Sequence, residues 1–122
     1  MKDFRDLEVW KESRKFRMII REVAKKFPKE EQFILTSQIV RSVSSVTANI
    51  AEGFGRYHHQ ENIQFCRIAK GSLTETLDHL TVALDENYIT NEKFDELYNQ
   101  YEKCIRLING YINYLIKQKK KS

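Results

Sequence analysis

Histidine and serine are the residues of this chain best suited to catalysis or metal binding, but their spacing supports neither. His58 and His59 are adjacent and His79 stands apart, without carboxylate or cysteine companions at the spacing of a metal site. Ser44 and Ser45 could serve as nucleophiles with His59 as the base, yet nothing in their spacing orients them toward it. The sequence therefore predicts a protein that is not an enzyme and that holds no cofactor or metal.

Gly53-Phe54-Gly55 is the other stretch that could carry chemistry, as a loop around a phosphate group. The rest of a phosphate-binding fingerprint is missing, and no strand precedes the stretch. A glycine that follows a helical segment has a simpler role, because it can end the helix in the left-handed conformation. We therefore expect Gly53 to terminate a helix with a positive φ.

The cysteines and the apolar pattern indicate the compartment. Cys66 and Cys104 form no CxxC pair and are predicted to be reduced, buried thiols. No apolar run approaches the 18 or so residues that span a bilayer, and the charged start MKDFRDLEVWKE lacks the apolar core of a signal peptide. These features predict a cytoplasmic protein with no membrane partner.

Positive charge is concentrated at two places in the chain. The 122 residues include 21 Lys or Arg and 17 Asp or Glu, which gives a net charge of +4 and a sequence pI of about 9.1. Seven of the basic residues fall between positions 11 and 26 and four lysines between 117 and 121, whereas 85–102 is mainly acidic. Such an excess tolerates a polyanionic partner without requiring one.

The first basic cluster could form a binding face. On a helix, its basic residues lie mainly opposite an apolar seam, with Arg17 at the border, and could hold an RNA or DNA backbone without reading its sequence. An ordinary solvated face would look the same. Trp10 is the best aromatic candidate for stacking there, and others are scarce, so sequence-specific RNA recognition is not expected. The candidate nucleic-acid-binding residues are Lys11, Arg14, Arg17, Arg21, Lys25, Lys117, Lys119 and Lys120.

Four helices are predicted to position these residues, over about 6–27, 29–53, 59–85 and 91–117, followed by a basic tail at 117–122. The breaks between them are Phe27-Pro28, the glycine-containing segment before His59, and a third segment in which Thr90 or Asn91 can cap the last helix. Apolar residues recur at spacings of three and four, as in knobs-into-holes packing. The sequence therefore predicts one all-α domain, an antiparallel up-down-up-down four-helix bundle.

Gly71-Ser72 leaves two interpretations of the third helix open. The apolar positions before and after it keep the same helical phase, which favours an unbroken helix that a neighbouring helix approaches closely at this point. Alternatively, Ser72-Leu73-Thr74-Glu75 is a capping box that starts a new helix.

The second helix stands out for a polar stripe formed by Gln38, Arg41, Ser45, Asn49 and Glu52, which lie within about 80° of one another on a helical wheel. Either this helix is the most buried of the bundle, with its hydroxyls bonded to its own carbonyls, or a second subunit covers it. Since a buried charge must be paired, we expect Arg41 and Glu52 to be bonded. Arg41→Ala is then expected to destabilise the fold or the assembly by several kcal/mol.

Several short motifs follow one another in a recognisable order over nearly the whole chain. They are Leu7-Glu8-Val9-Trp10, Phe27-Pro28, Gln38-Ile39-Val40-Arg41-Ser42-Val43-Ser44, Asn49-Ile50-Ala51-Glu52-Gly53 and Ile68-Ala69-Lys70-Gly71-Ser72-Leu73, followed by Glu75. Together they resemble the bacterial four helix bundle protein family, also called the 23S rRNA intervening-sequence protein family. The family's usual serine-rich opening of the third helix is replaced here by Tyr57-His58-His59.

That resemblance implies an antiparallel four-helix bundle that associates as a homopentamer and has no enzymatic activity. Some members of the family are encoded inside intervening sequences of 23S rRNA genes, and related accessory proteins of diversity-generating retroelements bind a reverse transcriptase and nucleic acid. Two functions are therefore open. The chain is an oligomeric module that binds RNA or DNA backbone through its basic face, or a scaffold for another protein, such as a reverse transcriptase, with no direct nucleic-acid role.

Overall fold

The computed structural model describes residues 1–121, and every regular element in that range is a helix. The four long helices are α1 (Glu8–Ala24), α2 (Leu35–Phe54), α3 (His59–Asp85) and α4 (Asn91–Lys121). Short 3-10 turns at Phe4–Asp6 and Lys29–Glu31 precede α1 and α2. The predicted all-α class with four helices is confirmed.

The apolar seams of the four helices meet in one core. Each seam places a residue inside at every third or fourth position, which is the spacing that keeps one face of a helix turned to its neighbours. The fully buried side chains include Phe16, Ile20, Ile39, Val43, Val46, Ile50, Leu73, Leu80, Leu97 and Ile108. Within the described residues, α1 packs on α2 and α4, α3 packs on the same two helices, and the diagonal pairs do not meet. This order is compatible with an up-down-up-down bundle.

The first two helices are shorter than the sequence predicts. α1 begins at Glu8 and ends at Ala24, since the chain must leave the helical conformation before Pro28. The predicted start of the second helix at 29 is also wrong. The chain after Pro28 makes only a 3-10 turn, and Ile34 has φ −118° and ψ −100°, so α2 begins at Leu35.

The fourth helix is longer than predicted. It continues to Lys121, so the segment predicted as a basic tail is helical over 117–121, while Ser122 lies outside the described residues. Lysine is a good helix former, and positive charge in the last turn complements the helix dipole. At the other end, the Thr90 hydroxyl accepts a hydrogen bond from the Lys93 backbone N–H at 3.1 Å, which confirms the predicted cap.

Neither of the two glycines singled out from the sequence has its predicted role in the structure. α3 runs unbroken through Gly71, so the capping-box interpretation is wrong, and Gly71 is exposed with no neighbouring helix near it. Gly53 lies inside α2 with a negative φ, so the expectation that it ends the helix is also wrong. A Cβ atom at Gly53 would lie 2.7 Å from the Asn62 side-chain oxygen and 2.9 Å from the Phe65 Cβ. Gly53 is therefore a point of close approach between α2 and α3.

Candidate nucleic-acid interface

A shallow groove of about 530 Å³ runs along the exposed side of α1. Four cationic side chains line it together with two apolar ones, and no carboxylate does. The lining residues are Arg5, Trp10, Lys11, Arg14, Lys15 and Met18. Helical spacing explains the arrangement, since residues three and four apart share a face. The groove therefore presents positive charge to one side of the protein.

Contacts at the protein surface hold the side chains of this groove, and its Arg5 and Lys15 cations are paired with the Asp3 and Glu12 carboxylates at 2.7 and 3.0 Å. The Arg14 guanidinium lies over the Trp10 ring, 5.9 Å from its centroid, and the Phe4 and Trp10 rings form a T-shaped contact with 5.2 Å between their centroids. The Lys11 ammonium is 3.6 Å from the Glu8 carboxylate, and both side chains are exposed. Exposed ion pairs of this kind contribute little free energy, so Lys11 can exchange its carboxylate for a phosphate.

The other predicted residues of this region differ in the exposure and in the hydrogen bonds and ion pairs of their side chains. Arg17 is half-buried and donates a hydrogen bond from Nη1 to the Thr47 hydroxyl at 2.8 Å, which ties α1 to α2. The Lys25 ammonium lies 2.8 Å from the Glu22 carboxylate, just beyond the end of the helix. The Arg21 side chain is exposed and makes no hydrogen bond or ion pair with any described residue. Of these three, Arg21 presents the most accessible charge.

The lysines at the end of α4 lie at one end of the bundle. Leu7 and Leu115 line the same cleft, so α4 ends where α1 begins. Lys117 and Lys120 are exposed, and Lys119 donates a hydrogen bond to the Gln60 side chain at the start of α3. The structure thus brings these lysines toward the start of α1, whereas Lys25 lies some 18 residues, or about 27 Å, farther along that side of the bundle.

Three residues of this region escaped the sequence analysis. Arg5 and Lys15 line the groove, and Lys15 could have been found because it follows Lys11 by four residues. Glu12 is the third of them. Its side chain is in fact 7% exposed, and Lys15 at 3.0 Å, Lys103 at 3.1 Å and the Gln100 amide at 3.3 Å surround it. The Lys15 ammonium holds the pKa of Glu12 at about 2, with smaller contributions from Lys103 and Gln100 and against the effect of burial.

Hydroxyl and amide groups connect α2 to α3. The Ser42 and Thr76 hydroxyls are 2.7 Å apart in the core, and Thr76 also donates to the Ser72 carbonyl at 2.8 Å. One turn along, the Ser72 hydroxyl donates to the Ser45 hydroxyl at 3.1 Å, which also accepts from the Asn49 amide at 2.8 Å. One of the two interpretations of the second helix has its hydroxyls bond their own carbonyls, and the structure shows that several of them also bond the neighbouring helix.

The charged residues of the polar stripe do not meet. Glu52 pairs with Arg56 one turn later, at 2.9 Å. The Arg41 side chain is exposed and makes no hydrogen bond or ion pair with residues 1–121. The expectation that Arg41 and Glu52 are bonded is wrong, because eleven residues of a helix separate them by about 16 Å. Gln38 is exposed as well, while Ser45 and Asn49 are half-buried in the contact with α3.

The groups that could support catalysis are dispersed or buried. Cys66 and Cys104 are buried and unpaired, as predicted, and burial raises their pKa values to about 12 and about 11. These thiols are therefore neutral, and a neutral thiol is a poor nucleophile. In the described part of the chain, no three His, Cys, Asp or Glu side chains are grouped as metal ligands. Within residues 1–121, no helix is both long and apolar enough to cross a membrane.

Comparisons with known proteins find similarity over most of the chain. A family model described as "23S rRNA-intervening sequence protein" matches residues 5–110. A crystal structure from Bacteroides thetaiotaomicron VPI-5482, of a protein with unknown function from the S23 ribosomal protein family, has a similar fold with a TM-score of 0.80. Its sequence is 27% identical, and the match covers 86% of this chain and 95% of that one. No relative is found among curated protein sequences.

Proposed function

Because this chain belongs to the 23S rRNA-intervening sequence protein family, we propose that it is a non-enzymatic oligomeric bundle that binds the backbone of RNA or DNA. Its four helices run alternately up and down, it works in the cytoplasm, and it needs no cofactor. The neutral thiols and the scattered histidines of residues 1–121 support a role without catalysis.

The observation that carries the binding proposal is the groove along α1. The groove has a volume of about 530 Å³, and four cationic side chains but no carboxylate line it. Arg21, farther along the helix, extends the positive side of α1. Cations on one side of a helix can each replace a condensed counterion on a phosphate backbone, and this supplies most of the affinity of sequence-independent binding. The groove thus favours a phosphate backbone over a neutral ligand.

Reversing the charge of this face is expected to reduce binding to background. The variant carries Lys11→Glu, Arg14→Glu and Arg21→Glu, all at exposed positions of α1. Fluorescence anisotropy with a labelled RNA hairpin, measured over a range of salt concentrations, follows the effect. In the wild type, the logarithm of the affinity should fall linearly with the logarithm of the salt concentration.

A control variant with Lys29→Glu, Arg67→Glu and Lys70→Glu has the same net charge and changes exposed residues outside α1. We expect it to keep most of the affinity. If both variants bind equally well, or if the wild type binds no RNA or DNA even at low salt, the proposed function is wrong.

The outward side of α2 supports the oligomeric part of the proposal. Ser37, Ser44 and Ala48 are small residues at least partly accessible there, and Arg41 is the only charge among them. Small side chains allow the backbone of a second subunit to approach closely. The family resemblance sets the expected assembly at five copies, and thus at about five times the 14.6 kDa of one chain.

Arg41→Ala is expected to lower the mass of the assembly without unfolding the chain. Arg41 has no partner among residues 1–121, so removing its side chain leaves the contacts of its own subunit intact. Light scattering gives the mass and circular dichroism the helical content. Arg67→Ala, at an exposed position of α3, is the matched control. A variant that retains the mass of the wild type would exclude Arg41 from the subunit interface.

An apolar groove favours a second candidate function, a scaffold for another protein. It measures about 630 Å³ and is formed where α1 faces the turn between α3 and α4. Its apolar lining residues are Met18, Ile19, Val23, Tyr88 and Ile89. Purification from a native lysate with and without nuclease treatment separates the two functions. A protein partner that remains bound after nuclease treatment supports the scaffold, and a loss of all partners supports nucleic-acid binding.

A further inference from the structure

Three tyrosines and a set of basic residues meet at the end of the bundle where α2 turns into α3. Tyr57, in the connection, and Tyr111 and Tyr114, on α4, line one cleft of about 250 Å³ with Arg56, His58 and His59. A second cleft, of about 450 Å³, lies on the other side of the connection and is lined in part by Lys119. The described residues that line the two clefts include no carboxylate, although the Arg56 guanidinium is paired with the Glu52 and Glu61 carboxylates outside them.

The tyrosines present ring surface to the solvent. Tyr57 is 94% exposed and forms a T-shaped contact with the His58 ring, with 5.0 Å between the ring centroids. The Tyr111 and Tyr114 rings are nearly parallel, 6.3 Å apart, and the Tyr111 hydroxyl accepts a hydrogen bond from the Asn62 amide at 3.1 Å. The buried end of this pair is thereby fixed, and Tyr114 is left 55% exposed.

Lysines follow the tyrosines along α4. Tyr114, Lys117 and Lys121 are three and four residues apart, so they lie on one side of the helix, and all three are exposed. The Tyr114 ring can stack on a base, and the two lysine ammonium groups can contact phosphates. Such a row suits a single strand of nucleotides, in which bases and phosphates follow one another. Trp10 on α1 is a poorer stacking surface, because the Arg14 guanidinium and the Phe4 ring already contact its ring.

We propose that this end of the bundle binds an unpaired segment of RNA or DNA, with a base stacked on Tyr57 in the cleft shared with Tyr114 and phosphates near Lys117 and Lys121. The cleft is smaller than the 300 Å³ or more of common small-molecule sites. That size suits one base of a strand that continues outside it. This inference rests on the proposed function and adds to it a preference for unpaired nucleotides.

The test compares a labelled 20-nucleotide oligo(U) with an RNA duplex of the same length. Wild type is expected to bind the single strand more tightly. Tyr57→Ala should lower single-strand affinity about tenfold, within the range for loss of one stacked base, and should leave duplex affinity unchanged. Tyr57→Trp keeps a ring and should retain the affinity. Phe33→Ala removes another strongly exposed ring, from the connection before α2, and should have no effect.

The possible results separate the two proposals. If the duplex is bound but Tyr57→Ala does not weaken the single strand, or weakens both equally, only the end site is wrong. If neither nucleic acid is bound at low salt, the proposed function is wrong as well. If Tyr57→Ala changes the mass of the assembly and not the affinity, the cleft is a protein interface and the inference is overturned.

Discussion

Gly53→Ala is expected to lower the free energy of unfolding by about 2 kcal/mol, although alanine is the better helix former. The added methyl group would lie 2.9 Å from the Phe65 Cβ and 3.1 Å from the Asn62 carbonyl oxygen, and neither atom can move without its helix. The third neighbour, the Asn62 side-chain oxygen at 2.7 Å, accepts a hydrogen bond from the Cys66 thiol. Urea denaturation followed by circular dichroism measures the loss.

Gly71→Ala makes the same chemical change with the opposite expected result. Gly71 lies within α3, and no atom of another element comes within 4 Å of the added Cβ. The variant should be more stable by up to about 1 kcal/mol, because alanine restricts the unfolded chain more than glycine does. If Gly53→Ala stabilises the protein as much as Gly71→Ala does, the close approach of α2 and α3 at Gly53 is wrong.

Glu12→Lys is expected to lower the free energy of unfolding by about 4 kcal/mol, the largest effect among these substitutions. It would place a third ammonium group between Lys15 and Lys103, at a position that is 5% exposed. The Gln100 amide, which donates to the Glu12 carboxylate, would lose an acceptor. Thermal and urea denaturation both report this change.

Glu8→Lys is the matched control for this substitution. Glu8 precedes Glu12 by one turn of α1, but its side chain is exposed and its contact with Lys11 is long, at 3.6 Å. The same reversal of charge should therefore change stability by no more than about 0.5 kcal/mol. Equal losses in the two variants would show that net charge, and not the buried position of Glu12, determines the effect.

Lowering the pH is expected to reduce the free energy of unfolding, because it protonates the Glu12 carboxylate. The pKa of Glu12 is about 2 in the folded chain against 4.5 for the unperturbed residue, so folding favours the charged form. Its contribution is complete above pH 4.5 and is lost as the pH falls toward 2. We expect this contribution to be about 2 kcal/mol, because Lys15 and Lys103 reach the solvent and water screens them.

The variant Glu12→Gln isolates this contribution in a pH series. Asp3 also has a pKa of about 2, held there mainly by its hydrogen bonds with Arg5, so the wild type alone would report several groups. The difference in unfolding free energy between wild type and variant should shrink steadily between pH 4.5 and 2. A difference that stays constant over that interval would contradict the low pKa of Glu12.

The periodic seams allowed the helices and most of the core to be predicted from sequence. Phe16, Ile39 and Ile108 are buried where the seams place them, because side chains at helical spacing share a face in any bundle. The ends of the helices were less predictable. The turn after Pro28 extends to Leu35, the first residue of α2, which is buried in the core. Its length therefore depends on tertiary packing.

The candidate site was only partly predictable, since a helical wheel shows direction but not distance or neighbours. It places Lys11 and Arg14 on one face correctly, but it cannot show that Arg17 bonds Thr47 on another helix. It gave no sign that Glu12 lies between cations of two helices. The meeting of Tyr57 with Tyr114 was equally hidden, because they are far apart in the chain.

The hydroxyl contacts between α2 and α3 have a consequence for how the two helices align. A heptad seam repeats every two turns, so apolar packing alone distinguishes poorly between the native alignment and one shifted along the axis. The bonds of Ser42 with Thr76 and of Ser45 with Ser72 are short only in one alignment. A shift along the axis would break these hydrogen bonds between hydroxyl groups inside the helix contact. Buried polar groups that lose their partners cost free energy of folding. These small polar side chains therefore favour one alignment of α2 with α3.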